Sequence, residues 1–216
     1  MKRYSLIIAA FFIFFSSCKK DEINNTDEKV GISRVTHFPI LTLNGDEIMV
    51  LENGAAFSDP GATAKAGETD VPVTTTGQVN TSNDGVYTIT YSAVNAEGFS
   101  ASTRRTVVVY STSADAAAHD LSGNYARTSN GSVATWTKLA PGVYKVFNPG
   151  GAPGTNLTVI VFNPTGFDIL IPEQVSSDGS VTSSASESFT NSDPPQYSWI
   201  IVNPGYGGAL RTFIKQ

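Results

Sequence analysis

Gly85-Val-Tyr-Thr-Ile-Thr-Tyr-Ser-Ala-Val-Asn-Ala-Glu-Gly98 is the stretch that decides the fold. From Val86 to Val94 apolar and hydroxyl side chains alternate. Tyr87, Ile89, Tyr91 and Ala93 share one face, and Thr88, Thr90 and Ser92 share the other. A period of two marks a strand half buried against a core. Asn83-Asp84-Gly85 supplies a turn before it and Asn95-Ala96-Glu97-Gly98 a turn after it, since Asn and Asp bond their own backbone and Gly accepts positive φ. Upstream, Phe38-Pro-Ile-Leu-Thr-Leu43 and Glu47-Ile-Met-Val-Leu51 flank Asn44-Gly45-Asp46. Asn-Gly between apolar runs predicts a hairpin. Downstream, Thr103 to Tyr110 is a β-branched run. Roughly seven short strands at this spacing over residues 31–110 predict a β-sandwich.

Ser111-Thr-Ser-Ala-Asp-Ala-Ala-Ala118 interrupts the pattern and is read as a linker. Its alanines permit a helical turn too short to be stable alone. Beyond it, residues 119–216 hold eight candidate strands: 124–128, 134–139, 143–148, 157–163, 168–173, 181–190, 196–203 and 210–215. The whole chain is therefore expected to be all-β. The second domain is antiparallel, either an eight-stranded barrel or a sandwich.

Three of these strands end in a shared pattern, Phe147-Asn-Pro-Gly150, Phe162-Asn-Pro-Thr165 and Val202-Asn-Pro-Gly205. Asn starts a turn and Pro fixes the next φ, so the repeat is a strand terminator. If the strands alternate up and down, those ending at Asn148, Glu173 and Asn203 end at one rim. The loops 149–156, 174–180 and 204–209 then cluster there, with Tyr206 at one tip. That rim is the candidate ligand site. Trp136 is added because its strand-face partners, Ala134 and Lys138, leave its burial open.

The chain begins with Lys2 and Arg3, an apolar run Leu6–Phe15, and then Ser16-Ser17-Cys18. Ten apolar residues are too few for a membrane span, which takes about 20, but they suit the core of a signal peptide. Phe15-Ser-Ser-Cys18 resembles a lipobox, with Phe15 in place of the usual leucine. The resemblance implies cleavage before Cys18 and lipidation of its thiol. Lys19-Lys-Asp-Glu22 resembles the surface-export signal of Bacteroidetes lipoproteins, implying the outer face of the outer membrane. Residues 1–17 are thus a leader and 18–30 a polar stalk with too little apolar surface to fold. A lipid anchor of this kind needs more than one acyl chain to hold stably.

Two further resemblances bear on the folded parts. Phe57-Ser-Asp-Pro-Gly-Ala-Thr-Ala64, followed by the Gly85–Gly98 stretch and a Val-rich end, resembles a bacterial Ig-like domain. Asn95 replaces the Asp of its usual turn. This implies an immunoglobulin-like sandwich acting as spacer or binding module. Asp120-Leu-Ser-Gly-Asn-Tyr125 and Tyr206-Gly-Gly-Ala-Leu-Arg-Thr-Phe-Ile-Lys-Gln216 resemble a C-terminal domain of Bacteroidetes surface lipoproteins.

Composition excludes several function classes. Loss of the leader takes Lys2 and Arg3 and moves the formal charge from −5 to −7, which repels nucleic acid. A His/Cys metal site lacks ligands, with only His37, His119 and a lipidated thiol. No Gly-Xaa-Ser-Xaa-Gly elbow occurs. A glycan hydrolase needs two carboxylates in one cleft. Asp168, Glu173, Asp178, Glu187 and Asp193 are available, but no pair is marked out. Asp59, Asp84 and Glu97 are candidate calcium ligands without a loop signature, and no cofactor is expected.

The expectation is a surface-anchored, non-catalytic binding lipoprotein, its ligand a glycan taken up for the cell. An assembly role docking to other envelope proteins is the alternative, and a glycan hydrolase the third reading. Replacing Cys18 by alanine is expected to abolish palmitate labelling and shift the protein from the detergent to the aqueous phase on partition. Retained label would contradict the anchor.

Overall fold

The computed structural model describes residues 29–30 and 33–216. The leader, Cys18 and most of the expected stalk lie outside the described residues. Lys29–Val30 (β1) and Ser33–Arg34 (β2) pair antiparallel as a short ribbon.

The alternation at Val86–Val94 does what its periodicity requires. Gly85–Val94 (β8) turns Ile89, Tyr91 and Ala93 inward, all three buried. It pairs along its full length with Ser100–Tyr110 (β9). Val73–Thr76 (β7) flanks β8, and Ile48–Glu52 (β4) runs parallel to β9 on the other side. A second sheet holds Pro39–Leu43 (β3), Ala62–Ala66 (β5) and Thr69–Asp70 (β6). Ile89, Tyr91 and Val107 from one sheet and Leu41, Leu43 and Ala62 from the other form the sandwich core.

The hairpin expected at Asn44-Gly45-Asp46 does not form. β3 pairs β5, while β4 pairs β9 in the opposite sheet, so this turn crosses between layers. Arg105 is the reason. It is 0 % exposed, and its guanidinium collects the carbonyls of Asn44, Asp46 and Gly61 together with the Asp59 carboxylate. Nη1 lies 2.6 Å from Asp59 Oδ1, which also accepts the Tyr91 hydroxyl. A buried guanidinium is tolerated only when paired and hydrogen-bonded. Here the acceptors it needs are the turn itself, drawn over the end of the sandwich.

The C-terminal part is a single eight-stranded sheet. Its strands are Gly123–Arg127 (β10), Val133–Ala140 (β11), Val143–Phe147 (β12), Thr158–Phe162 (β13), Gln174–Val175 (β14), Val181–Thr190 (β15), Gln196–Val202 (β16) and Arg211–Lys215 (β17). The order is β13-β12-β11-β10-β17-β16-β15-β14, antiparallel throughout. First and last strands of the region pair with each other, so the sheet curls into a barrel whose open seam lies between β13 and β14. The strand expected over 168–173 is reduced to a bridge between Leu170 and Phe162.

That seam is closed by other means. Phe162 and Leu170 exchange both backbone bonds. Two residues back, the Gln174 side-chain amide takes the place of a strand. Its Nε2 donates to Ile160 O at 2.8 Å, and its Oε1 accepts from Ile160 N at 2.7 Å. Two residues further, Thr158 O accepts from Ser177 N, and Thr158 N donates to Ser177 Oγ. Every second residue of β13 thus finds both partners, and the edge offers no unpaired ladder.

Leu157-Thr-Val-Ile-Val-Phe162 is apolar nearly throughout because β13 is covered on both faces. Val159 and Val161 point into the barrel. Ile160 and Phe162 point outward and, with Val143, pack on Val108 and Tyr110 of the sandwich. Ile48, Val50 and Val86 join from the sandwich, and Leu139, Ala140 and Leu170 from the barrel. The expected linker is also tied down. Ser111 donates through N and Oγ to Asp84, and Ser113 caps the short helix Ala114–Ala118 (α1), whose Ala116 is buried.

Gln174→Leu keeps the volume but leaves Ile160 N and O buried and unpaired. Each such group costs about 1–3 kcal/mol, so a loss of roughly 2–5 kcal/mol is expected from the urea midpoint. An unchanged midpoint would contradict the seam.

Candidate functional site

The three loops of the expected rim do converge. Tyr206 Oη lies 3.2 Å from Thr155 Oγ1, Ser177 Oγ donates to Asn156 O, and Asn203 Nδ2 donates to Ser180 Oγ. The side chains singled out there serve the fold, however. Asn148 Oδ1 accepts from Ala152 N and its Nδ2 donates to Val133 O. Its φ of 54° is the left-handed conformation that Asn tolerates best among side chains. Asn163 and Asn203 repeat the device, accepting from Gly166 N and Gly205 N. All three are buried, so Asn148 and Asn203 have no free amide for a ligand. Glu173 is exposed just before β14. Tyr206 lies over Gly150, where a Cβ would meet the ring at 2.1 Å, and the Arg211 guanidinium sits 5.1 Å from its centroid. The rim is assembled, but it is largely closed on itself.

Trp136 is also displaced from its expected role. It is 3 % exposed, inside the barrel, with Nε1 donating to Tyr197 Oη. Ala134, its face partner, is buried with it. Trp136 stacks on Trp199 and meets Tyr125, Tyr144 and Tyr197 edge-on or tilted. The polar tips find partners within the protein: Trp199 Nε1 bonds Pro149 O, Tyr125 Oη bonds Leu121 O, and Tyr144 Oη bonds His119 O. These rings fill the lumen as small barrels require. They are structural and present no stacking face outward.

The carboxylates are dispersed. Thr165 holds Asp168, Ser176 and Ser180 hold Asp178, and Ser184 holds Glu187. The Ser180 hydroxyl keeps Asp178 below the usual carboxylate range, which suits an ionised turn residue and not a proton donor. Asp59 is neutralised by Arg105, and Asp84 accepts from Asn53 and Ser111. Among the described residues no three His, Cys, Asp or Glu converge to hold a metal.

A hollow lies where sandwich meets barrel, beside their shared apolar contact. Thr88 and Thr106 are cross-strand partners on the outer face of β8 and β9, as are Thr90 and Arg104. Opposite them, Lys145 and Ile160 are partners on the outer face of β12 and β13. Thr88, Arg104, Thr106, Lys145 and Ile160 enclose a cleft of about 290 Å³, completed by Glu47, Ile48, Thr158 and the seam segment 174–177. Arg104 Nη2 crosses the joint and donates to Ser176 O and Ser177 O at 3.4 and 3.3 Å. A shallower hollow continues from Glu47 and Arg104 over Thr90, Ser102 and Thr103. The sequence carried half of this signal. The polar face Thr88/Thr90 is visible in the alternation, but the facing wall 145–177 is not.

The sandwich now has a relative. Residues 41–109 match the family model of the bacterial surface protein Ig-like domain. The match contains both stretches that carried the resemblance, Phe57–Ala64 and Gly85–Gly98. In this Ig-like domain the Asp59 of the first stretch is the anchor for Arg105 and Tyr91. Among solved structures, a lipoprotein from Bacteroides thetaiotaomicron is similar at 23 % identity and a TM-score of 0.40, covering 83 % of this chain and 100 % of its own. No curated protein matches the chain. Among the described residues no helix is long and apolar enough to cross a membrane.

Burial raises the phenols of Tyr125, Tyr144 and, well above its ordinary value, Tyr197. Tyr91 is pushed up to about 12, first by burial and then by its bond to Asp59. The unfolded chain releases phenolic protons near pH 10 while the folded chain retains them. Stability is therefore intact below about pH 10 and falls as pH rises further. Tyrosinate absorbance from these four residues is expected to appear together with loss of far-UV β signal, and not before it.

Proposed function

We propose that the protein is a lipid-anchored, non-catalytic binding protein of the outer-membrane surface, and that its ligand is a polysaccharide seated in the cleft between Ig-like domain and barrel. The bacterial surface type of residues 41–109 supports the location. The cleft itself carries the ligand assignment. It lies at the junction of two folded parts, where small-ligand sites concentrate. Its walls offer Thr88, Thr106, Thr158 and Ser177, hydroxyls that both donate and accept, as sugar hydroxyls do. Ile48, Ile160 and Val175 supply apolar ground between them. The shallower hollow gives a chain longer than one sugar a continuing path.

An assembly role rests on a different surface. Val181, Val202 and Leu210 are exposed, and Val181 and Val202 line an apolar hollow with Ile200 and Tyr206 on the barrel. Docking of another envelope protein there would leave the cleft unused.

The test uses a chain starting at residue 18 with Cys18→Ser, screened calorimetrically against oligosaccharides. Thr88→Trp and Thr158→Trp, each filling the cleft from one wall, are expected to abolish binding without lowering the thermal midpoint. Binding that survives both but is lost in Tyr206→Ala would move the site to the rim. No binding to any saccharide would sink the assignment and leave the assembly role.

A further inference from the structure

Two cations line the cleft, Arg104 and Lys145, against one carboxylate, Glu47. Elsewhere among the described residues Lys65, Arg105 and Lys138 pair with Asp70, Asp59 and Asp120, while Arg127 and Arg211 bond backbone carbonyls and Lys215 lies over the Tyr125 ring. Arg104 and Lys145 form no such pair. Arg104 uses only Nη2, and that on two long bonds to the carbonyls of Ser176 and Ser177. Its Nε and Nη1 make no hydrogen bond among the described residues. Lys145 makes none among the described residues, although it is half-buried on β12. A half-buried ammonium and a guanidinium with two unused nitrogens are costly to maintain beside an apolar contact unless an acceptor arrives.

The placement of these cations is set by the fold. Arg104 and Arg105 are neighbours on β9, so the pleat sends them to opposite faces. Arg105 goes into the sandwich, where Asp59 and three carbonyls receive it. Arg104 goes to the cleft, where the barrel offers it two carbonyls only. Lys145 faces it from the other wall. A surplus positive charge thus sits in a hollow of a chain whose overall balance is acidic, −5 before loss of the leader.

Resting on the cleft assignment above, we infer that the ligand is an acidic saccharide whose carboxylate or sulfate lies between Arg104 and Lys145. The guanidinium fork suits a planar carboxylate through two parallel bonds. The hydroxyls of Thr88, Thr106 and Thr158 take the sugar's own hydroxyls. Glu47, at the exposed end, opposes a second negative charge there and limits how densely the bound chain is charged.

The experiment compares a uronic-acid oligosaccharide, its methyl-esterified form and a sulfated neutral oligosaccharide on the Cys18→Ser chain by titration calorimetry. The acid or the sulfated sugar is expected to bind at least about 10-fold tighter than the ester, since a bond to a charged partner is worth that much or more. Arg104→Gln and Lys145→Gln should each remove about that advantage of acid over ester and flatten the salt dependence. Glu47→Gln should tighten the acid. Whichever of uronate and sulfate binds tighter identifies the charged group. Equal affinity for acid and ester, both abolished by Thr158→Trp, would overturn the charge assignment while the cleft stands. Preference for polyglutamate over either acidic sugar would overturn the saccharide. Binding indifferent to Thr158→Trp would remove the cleft itself.

Discussion

The structure depends on one apolar contact, between Ile160 and Phe162 on the barrel and Val108 and Tyr110 on the sandwich. Each belongs to a strand whose other face serves its own core, Val159 and Val161 in the barrel and Val107 in the sandwich. Removing a Val, Ile or Phe side chain from water is worth about 1.5–3 kcal/mol. Several together rival the roughly 5–15 kcal/mol by which a domain is stable at all. That comparison decides how the chain behaves. The sandwich is not a bead on a string ahead of the barrel, because parting them would expose two strands built to be covered.

The barrel edge makes the same point from another side. β13 would be an open edge, a template for other strands. Gln174 and Ser177 pair it with side chains and one turn of backbone, and the sandwich covers its outer face. The cleft lies at the margin of this contact, where Thr88, Arg104 and Lys145 replace the apolar residues. A recognition site built on strands of two rigid parts holds its geometry better than a loop rim does. The rim loops instead spend their polar groups on one another.

Much of this was legible from residue order. The period of two at Val86–Val94 gave the inner face of β8, and seven of the eight strands expected in the second half form; the one expected over 168–173 is only a bridge, and the eighth strand is instead Gln174–Val175, in a stretch expected as loop. The Asn-Pro terminators did end strands, and the loops after Asn148 and Asn203 did meet each other and the segment 174–180. What local pattern could not reveal was long-range. Asn44-Gly45 is a hairpin signal, but Arg105, sixty residues away, claims the turn's carbonyls and splits its strands between sheets. Trp136 beside Ala134 and Lys138 reads as ambiguous until the barrel closes around it. The runs Val107–Tyr110 and Thr158–Phe162 are apolar on both faces, which is the mark of strands covered twice. Nothing local says that they cover each other.

Scanning calorimetry of the Cys18→Ser chain tests the shared contact most directly. A single transition is predicted, with calorimetric and van't Hoff enthalpies equal, and Ile160→Asp should split it into two. Two resolved transitions in the unsubstituted chain would contradict the account.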